Sequence, residues 1–367
     1  MIYLDHNATT PIDERVLDAM LPYLKTFYGN PSSLYRQGRF VKSAVDSARE
    51  QVAALVGVTP SQVLFTSGGT EANNLALAAI PSRAALAVSA IEHPSVYEPA
   101  EHLQRRGHQL AVIEVDSSGL IDRQHFDCIL ENRPGLISMI LANNEIGVIQ
   151  DVSRYAALAR EKNIIFHTDA VQALGKIPVD FDRLGVQLMS LSAHKIYGPK
   201  GCGALIFDRK VKINPILWGG GQEQGLRAGT ENPAAIVGFG KAAELAGKEL
   251  DERSAKMLVL RKQLEAGLKS LSGIVIFGEH AERLVNTVQI GFPNIDGEML
   301  VMKLDQKGIA VSSGSACSSG GKEPSPVLTA MSVDVDLARS ALRISLGIHN
   351  TENEISTFIS QLKTLVQ

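Results

Sequence analysis

Lys195 sits in "SAHKIYGPKG", directly after the apolar run "QLMSLS" (187–192). Burying an ammonium is costly. A functional reason to place one at the end of a buried strand is a Schiff base, formed by an amine whose pKa is lowered through partial desolvation. Asp169 ends a second apolar run, "IIFHTD" (164–169). A carboxylate in such a crevice needs a cationic partner, and the protonated ring nitrogen of pyridoxal 5'-phosphate supplies one. Gln172, three residues on, is placed to reach the phenolic oxygen of that ring. Ser192 and His194 flank the lysine and can donate to a phosphate. His93, in "EHPS", can lie on the ring or move protons near neutrality.

A thiol completes the set. Cys317 stands in "SSGSACSSGG", among serine, glycine and alanine alone. Such a run cannot pack a core, and its composition gives a chain freedom to move. The other two cysteines, Cys128 in "HFDCIL" and Cys202 in "KGCGALIF", are expected to be small buried apolar residues. Three scattered cysteines make no disulfide framework, and neither Cys-x-x-Cys nor histidine pairs at zinc spacing occur, so no metal site is expected.

The elements that must position these groups alternate. Short apolar runs at 63–67, 86–91, 110–115, 136–142, 164–169, 187–192 and 203–208 are separated by helix-like stretches such as "VYEPAEHLQRRG" and "VSRYAALAREKN". This alternation predicts an α/β domain with a mostly parallel central sheet and helices on both faces. Five of the runs end in polar or glycine-rich clusters: "GGTEANN", "EHPS", "NNEIG", "TDAVQ" and "SAHKIYGPKG". In an open parallel sheet the carboxyl ends of the strands form the ligand crevice, so the five clusters are predicted to converge. Gly69 and Thr70 would then present a helix N-terminus to an anion. Their spacing is that of neither a dinucleotide fingerprint nor a P-loop.

From about residue 245 the texture changes. A charged helical stretch (242–271), "RLVNTVQIGF", "GEMLVMKLDQKG", the cysteine loop, "ALRISLG" and a final helix suggest a smaller α+β domain. The division expected is 15–245 for the cofactor-binding α/β domain, with 1–14 and 246–367 in the smaller one. The chain has 367 residues, 45% hydrophobic and 20% charged, with a net charge of -3. Nothing resembles a basic stripe, so nucleic acid is not an expected ligand. No apolar run has the length of a membrane span, and "MIYLDHNATTP" lacks a secretory pattern. A cytoplasmic enzyme is expected.

The combination of "YLDHNATTP", "YGNPSS", "FTSGGTEANN", "EHPSV", "NNEIGVIQ", "HTDAVQALGK", "SAHKIYGPKG", "GGGQEQGLRAGT", "SSGSACSS" and "RISLG" resembles the pyridoxal-phosphate-dependent cysteine desulfurases of the NifS/IscS group, over residues 2 to about 350. The resemblance implies a fold-type I architecture and a homodimer. It implies Lys195 as the cofactor-bound lysine, Asp169 at the pyridine nitrogen and His93 over the ring. Asn144 and Gln172 would neighbour the phenolic oxygen. Thr70, Ser192 and His194 would hold the phosphate, joined by Thr230 reaching across from the other subunit. Arg343 would bind the substrate carboxylate, which a planar guanidinium fits bidentately, with Asn30 close by. Cys317 would be the nucleophile.

The activity so implied converts L-cysteine to L-alanine and leaves a persulfide on Cys317. An iron–sulfur scaffold or sulfurtransferase would then accept the sulfur. His93 is a candidate to take the thiol proton. An alternative on the same scaffold is a selenocysteine lyase or other pyridoxal-phosphate lyase, which needs no sulfur-carrying cysteine.

Overall fold

A computed structural model describes residues 1–314 and 324–366; Cys317 lies outside the described residues. Eight strands occur in the first two thirds of the chain. They are β1 (Ile2–Tyr3), β2 (Val63–Thr66), β3 (Leu86–Ser89), β4 (Leu110–Ile113), β5 (Leu136–Ser138), β6 (Ile165–Asp169), β7 (Leu188–Ser192) and β8 (Gly203–Phe207). All but β1 form one seven-stranded sheet in the order β2-β8-β7-β6-β5-β3-β4. The run from β4 to β7 is parallel throughout. Only β8 is reversed, pairing antiparallel with both β7 and β2. β2 therefore points the same way as the parallel set, and five expected strands present their carboxyl ends at one edge.

The strands are largely apolar because both faces are covered, and the polar side chains buried at their middle, Ser138, His167 and Ser190, bond one another. Val63, Phe65, Ile137, Phe166, Met189, Leu191 and Ile206 enter one core. Leu64, Leu86, Val88, Leu136, Leu188 and Leu205 enter the other. Helices α1 (Glu14–Lys25) and α2 (Arg36–Leu55) lie on the first face, against a helix at Pro233–Lys248. Gly240 allows that approach, since a Cβ there would sit 2.6 Å from the Cα of Ala48. Helices α3 (Gly69–Leu77) and α4 (Pro94–Arg105) cover the second face through Leu75, Leu77, Val96 and Ala100. Each large apolar side chain so buried contributes about 1.5–3 kcal/mol.

The charged stretch at 242–271 is two helices, Pro233–Lys248 and Leu250–Leu268, joined at Glu249. The Glu249 carboxylate is bound there by Arg15 at 2.6 Å and Arg253 at 2.6 Å, which holds the junction against α1. Beyond it lie β9 (Val275–Ile276), β10 (Thr287–Gly291), β11 (Ile309–Ala310), β12 (Ser312–Ser313) and β13 (Leu342–Ser345). Four of them form an antiparallel sheet in the order β12-β13-β10-β9, with its own core of Leu264, Val288, Ile290, Leu342, Ile344 and Phe358. β1 pairs in parallel with β11 in a separate two-stranded sheet, and a bridge from Asp5 to Ser345 ties the amino terminus to β13 of the second sheet. Among the described residues no helix is long and apolar enough to cross a membrane.

The two cysteines outside the glycine-rich run differ. Cys202 is buried, as expected, and burial, reinforced by the charge of Glu223, pushes its thiol up to about 12. Cys128 is exposed, contrary to expectation. It lies in a helix at Arg123–Glu131 whose buried side is Phe126, Ile129 and Leu130, so the helical turn carries Cys128 to the outside. Treatment with iodoacetamide at pH 8 is expected to modify Cys128 and to leave Cys202 unmodified until the protein is unfolded. Peptide mass mapping before and after denaturation checks this.

Candidate active site

The carboxyl edge of the large sheet borders a cavity of about 500 Å³, lined by residues from the five clusters, the amino-terminal segment and β13. Gly69 and Thr70 begin α3 after β2, and His93 caps α4 after β3. Asn144 follows β5, Asp169 ends β6, and Ser192, His194 and Lys195 end β7 in a single tight turn. Gln172 and Arg343 complete the expected residues that line it. Asn30 does not line it and is exposed; Thr230, expected to serve the phosphate of the other subunit, is likewise exposed and does not line this one.

The Asp169 carboxylate is fixed from two sides. Val171 N–H donates to one oxygen at 2.9 Å and Asn73 Nδ2 to the other at 2.7 Å. Lys195 Nζ donates to the carbonyl of Asn7 and, at 2.7 Å, to that of Ala8. Gln172 Nε2 donates to the same Asn7 carbonyl at 2.9 Å, while its Oε1 accepts from Lys176 Nζ at 2.9 Å. The Lys176 ammonium therefore fixes which end of the Gln172 amide is which. It is itself pushed down to about 7 by burial and by the charges of Lys195 and Arg343. Arg343 donates to Asp5 at 2.8 Å and to the Asn144 carbonyl at 3.3 Å. Among the described residues its Nε has no hydrogen-bond partner.

Electrostatics and burial shape the histidines. Burial, then the Lys195 charge, pushes His194 down to about 4, so its ring is neutral at physiological pH. His93 is also lowered, first by burial and further by Lys195 and Arg343, against the opposing pull of Asp169. Glu92, next to it, is almost fully buried and accepts from Ser89 Oγ at 2.6 Å and from Ile140 N–H at 2.7 Å. Burial, with the Asp169 charge adding, raises its carboxyl to about 8 despite those bonds. The sign follows by linkage. Below the ordinary carboxyl value both native and unfolded chains keep the proton. From there up to about 8 only the native chain keeps it, so native stability falls as pH rises through that window. Glu92→Gln, which preserves the acceptor, is expected to remove this loss. Thermal melts should show its advantage over wild type growing from pH 5 to pH 9, by on the order of 1–3 kcal/mol.

The donor set fits pyridoxal 5'-phosphate. Ser192 Oγ is buried at the cavity wall with no hydrogen-bond partner among the described residues, as a phosphate donor would be. The first-turn N–H groups of α3 lack intrahelical acceptors. A Cβ at Gly69 would sit 3.0 Å from Val171 Cγ2, tighter than most side-chain contacts, so glycine keeps the wall clear beside them. Asp169, His93 and Lys195 occupy the remaining sides. Asp5, Asn7, Asn73 and Ser95 were given no role from sequence, although "YLDHN", "TEANN" and "EHPS" contain them. Asn7 joins the halves: its Nδ2 donates to the Asn144 carbonyl at 3.1 Å and to Thr287 Oγ1 at 2.9 Å.

Comparison with known proteins agrees with this architecture. The family model described as aminotransferase class-V matches residues 2–358. The chain is 40% identical to a protein named cysteine desulfurase IscS from Dictyoglomus turgidum, covering 100% of this chain and 94% of that one. It is also 40% identical to cysteine desulfurase NifS of Azotobacter vinelandii, covering 100% of this chain and 92% of that one. Among solved structures, a NifS-like protein from Rickettsia africae superposes with a TM-score of 0.92 at 38% identity, covering 100% of this chain and 99% of the other. With its sheet order, its lysine-bearing cavity and these full-length matches, the chain belongs to the aminotransferase class-V family.

Proposed function

We infer that this chain is a pyridoxal-phosphate-dependent cysteine desulfurase that converts L-cysteine to L-alanine and leaves a persulfide on Cys317. The observation that carries the reading is the meeting of Lys195, Asp169, His93 and the Ser192 hydroxyl, unpartnered among the described residues, in one cavity, in a chain whose full-length relatives bear that name. When bound, the cofactor supplies the electron sink that lets the substrate's Cα lose its proton. Asp169 would face the ring nitrogen and favour its protonated form. Thr70, Ser192 and His194 hold the phosphate, with the Gly69 N–H. Lys195 carries the cofactor and then moves the Cα proton at Nζ. Arg343, with Asn144 beside it, orients the substrate carboxylate. Cys317 gives up its thiol proton and its sulfur bonds to the substrate sulfur, whose bond to Cβ breaks. The carbon skeleton leaves as alanine, and the thiol and cysteine atoms are all accounted for in alanine and persulfide.

The enzyme in this reading is a cytoplasmic homodimer. Asn30 and Thr230 lie on chain segments that also carry exposed apolar residues, Tyr28 at 80%, Leu34 at 86% and Trp218 at 83%. A second copy covering these side chains would bring Thr230 to the neighbouring phosphate and Asn30 to the neighbouring substrate. The unit spanning 15–245 holds the cofactor, and residues 1–14 with 246–367 contribute Arg343 and the cysteine segment. An iron–sulfur scaffold or a thiolation carrier receives the sulfur. The test is an anaerobic incubation of the holoenzyme with L-cysteine, reading alanine and intact protein mass. Alanine rising together with one added sulfur on the protein is expected. Alanine without added sulfur would replace this reading with that of a lyase.

A further inference from the structure

One amide connects the two groups that face the ring. Asn73, in α3, spends both hydrogens of its side-chain nitrogen: one on Asp169 Oδ2 at 2.7 Å, the other on Ser95 Oγ at 2.8 Å. Swapping its two ends would turn the carbonyl toward the Asp169 carboxylate, so the assignment is fixed by charge. With a donor arriving at its oxygen, the Ser95 hydroxyl directs its own hydrogen to His93 Nδ1, 2.7 Å away. The backbone N–H of Ser95 points at the same Nδ1 from 3.1 Å. A proton on Nδ1 would meet that N–H donor against donor. Among the described residues Nε2 has no hydrogen-bond partner, and the ring lines the cavity.

We propose that Asn73 and Ser95 are positioning residues that hold His93 as the tautomer with Nδ1 bare and the proton on Nε2. This rests on the desulfurase reading only for its consequence, not for the tautomer. Burial first, with Lys195 and Arg343 adding and Asp169 opposing, lowers the His93 ring below its ordinary value, so the neutral ring is the resting form. That neutral ring offers the cavity a donor. It cannot accept a proton at Nε2 until that nitrogen has first given its own away. In this arrangement His93 could take the Cys317 thiol proton at Nε2 only after that nitrogen has given up its own: His93 gives before it takes. The two ring-facing groups are also locked to each other, since any shift of Asn73 moves the bond to Asp169 and the bond to Ser95 together.

The test is solid-state nitrogen NMR of holoenzyme labelled with ¹⁵N-histidine, recorded without L-cysteine, with the His93 signal identified by its loss in His93→Gln. Wild type should show a bare Nδ1 and a proton-bearing Nε2. Ser95→Ala and Asn73→Ala should each shift part of the His93 population to the Nδ1-protonated form, and Ser95→Thr should restore the wild-type pattern. A purely structural role for these residues would leave the tautomer where it was. A proton on Nδ1 in wild type overturns the assignment, even if no variant folds. Spectra of both alanine variants identical to wild type overturn the relay. Because cysteine is absent, a failed desulfurase assay leaves the tautomer result standing, and a wrong tautomer leaves alanine formation untouched as evidence for the reaction.

Discussion

Cys317→Ala, incubated with L-cysteine, gains no sulfur and forms alanine at least about 10³-fold more slowly than wild type, the scale of losing a covalent nucleophile. The reaction divides a carbon–sulfur bond between two carriers. The cofactor side can stabilise charge on the carbon, but something must take the sulfur, and a methyl group cannot. The cofactor's visible absorbance should be unchanged in this variant, because Lys195, Asp169 and Ser192 are intact. This separates the loss of a nucleophile from the loss of a site. Alanine formed at the wild-type rate by Cys317→Ala would remove the persulfide step and leave a lyase.

Lys195→Ala is expected to lose the visible band on dialysis and to lower alanine formation by about 10²–10⁴-fold or more, the range for removing a positioned proton-transfer group. Two losses coincide in this variant: the covalent hold on the cofactor and the base for the Cα proton. Lys195→Arg should fail as well. A guanidinium keeps the positive charge but is not deprotonated in proteins, so it neither bonds to the cofactor nor accepts a proton. Far-UV circular dichroism should stay that of wild type, since the lysine is partly exposed and buries little apolar surface. Band retention in Lys195→Ala after dialysis would move the covalent role to another lysine, with Lys176, bonded to the cavity residue Gln172, the first to test.

Much of the cavity was legible because parallel strands impose a common direction on their ends. Once the apolar runs were found, the polar residues after them had to share an edge, and Gly69, His93, Asn144, Asp169 and Lys195 do. Strand direction itself has no sequence signature, so β8 read like its neighbours although it runs against both. Residues that enter from far along the chain were illegible for a different reason. Asp5 reaches Arg343 across 338 positions, and no local pattern encodes such a pairing. Asn73 and Ser95 lay inside quoted motifs, yet their work is to hold other side chains, which only geometry reveals. Cys128 was misread because a short apolar run does not say which side of a helix turns inward.

Asn7 has one further consequence. Its carbonyl receives Lys195 and Gln172, while its side chain holds Asn144 on one side and Thr287 on the other. The amine that must leave this carbonyl to engage the cofactor is therefore also a fastener between the two sheets. Cofactor loading and the grip of the amino-terminal strap share a bond, and by reciprocity each must bias the other. The apoenzyme and the holoenzyme are then two differently braced objects, and the first eight residues are the gauge on which the difference registers.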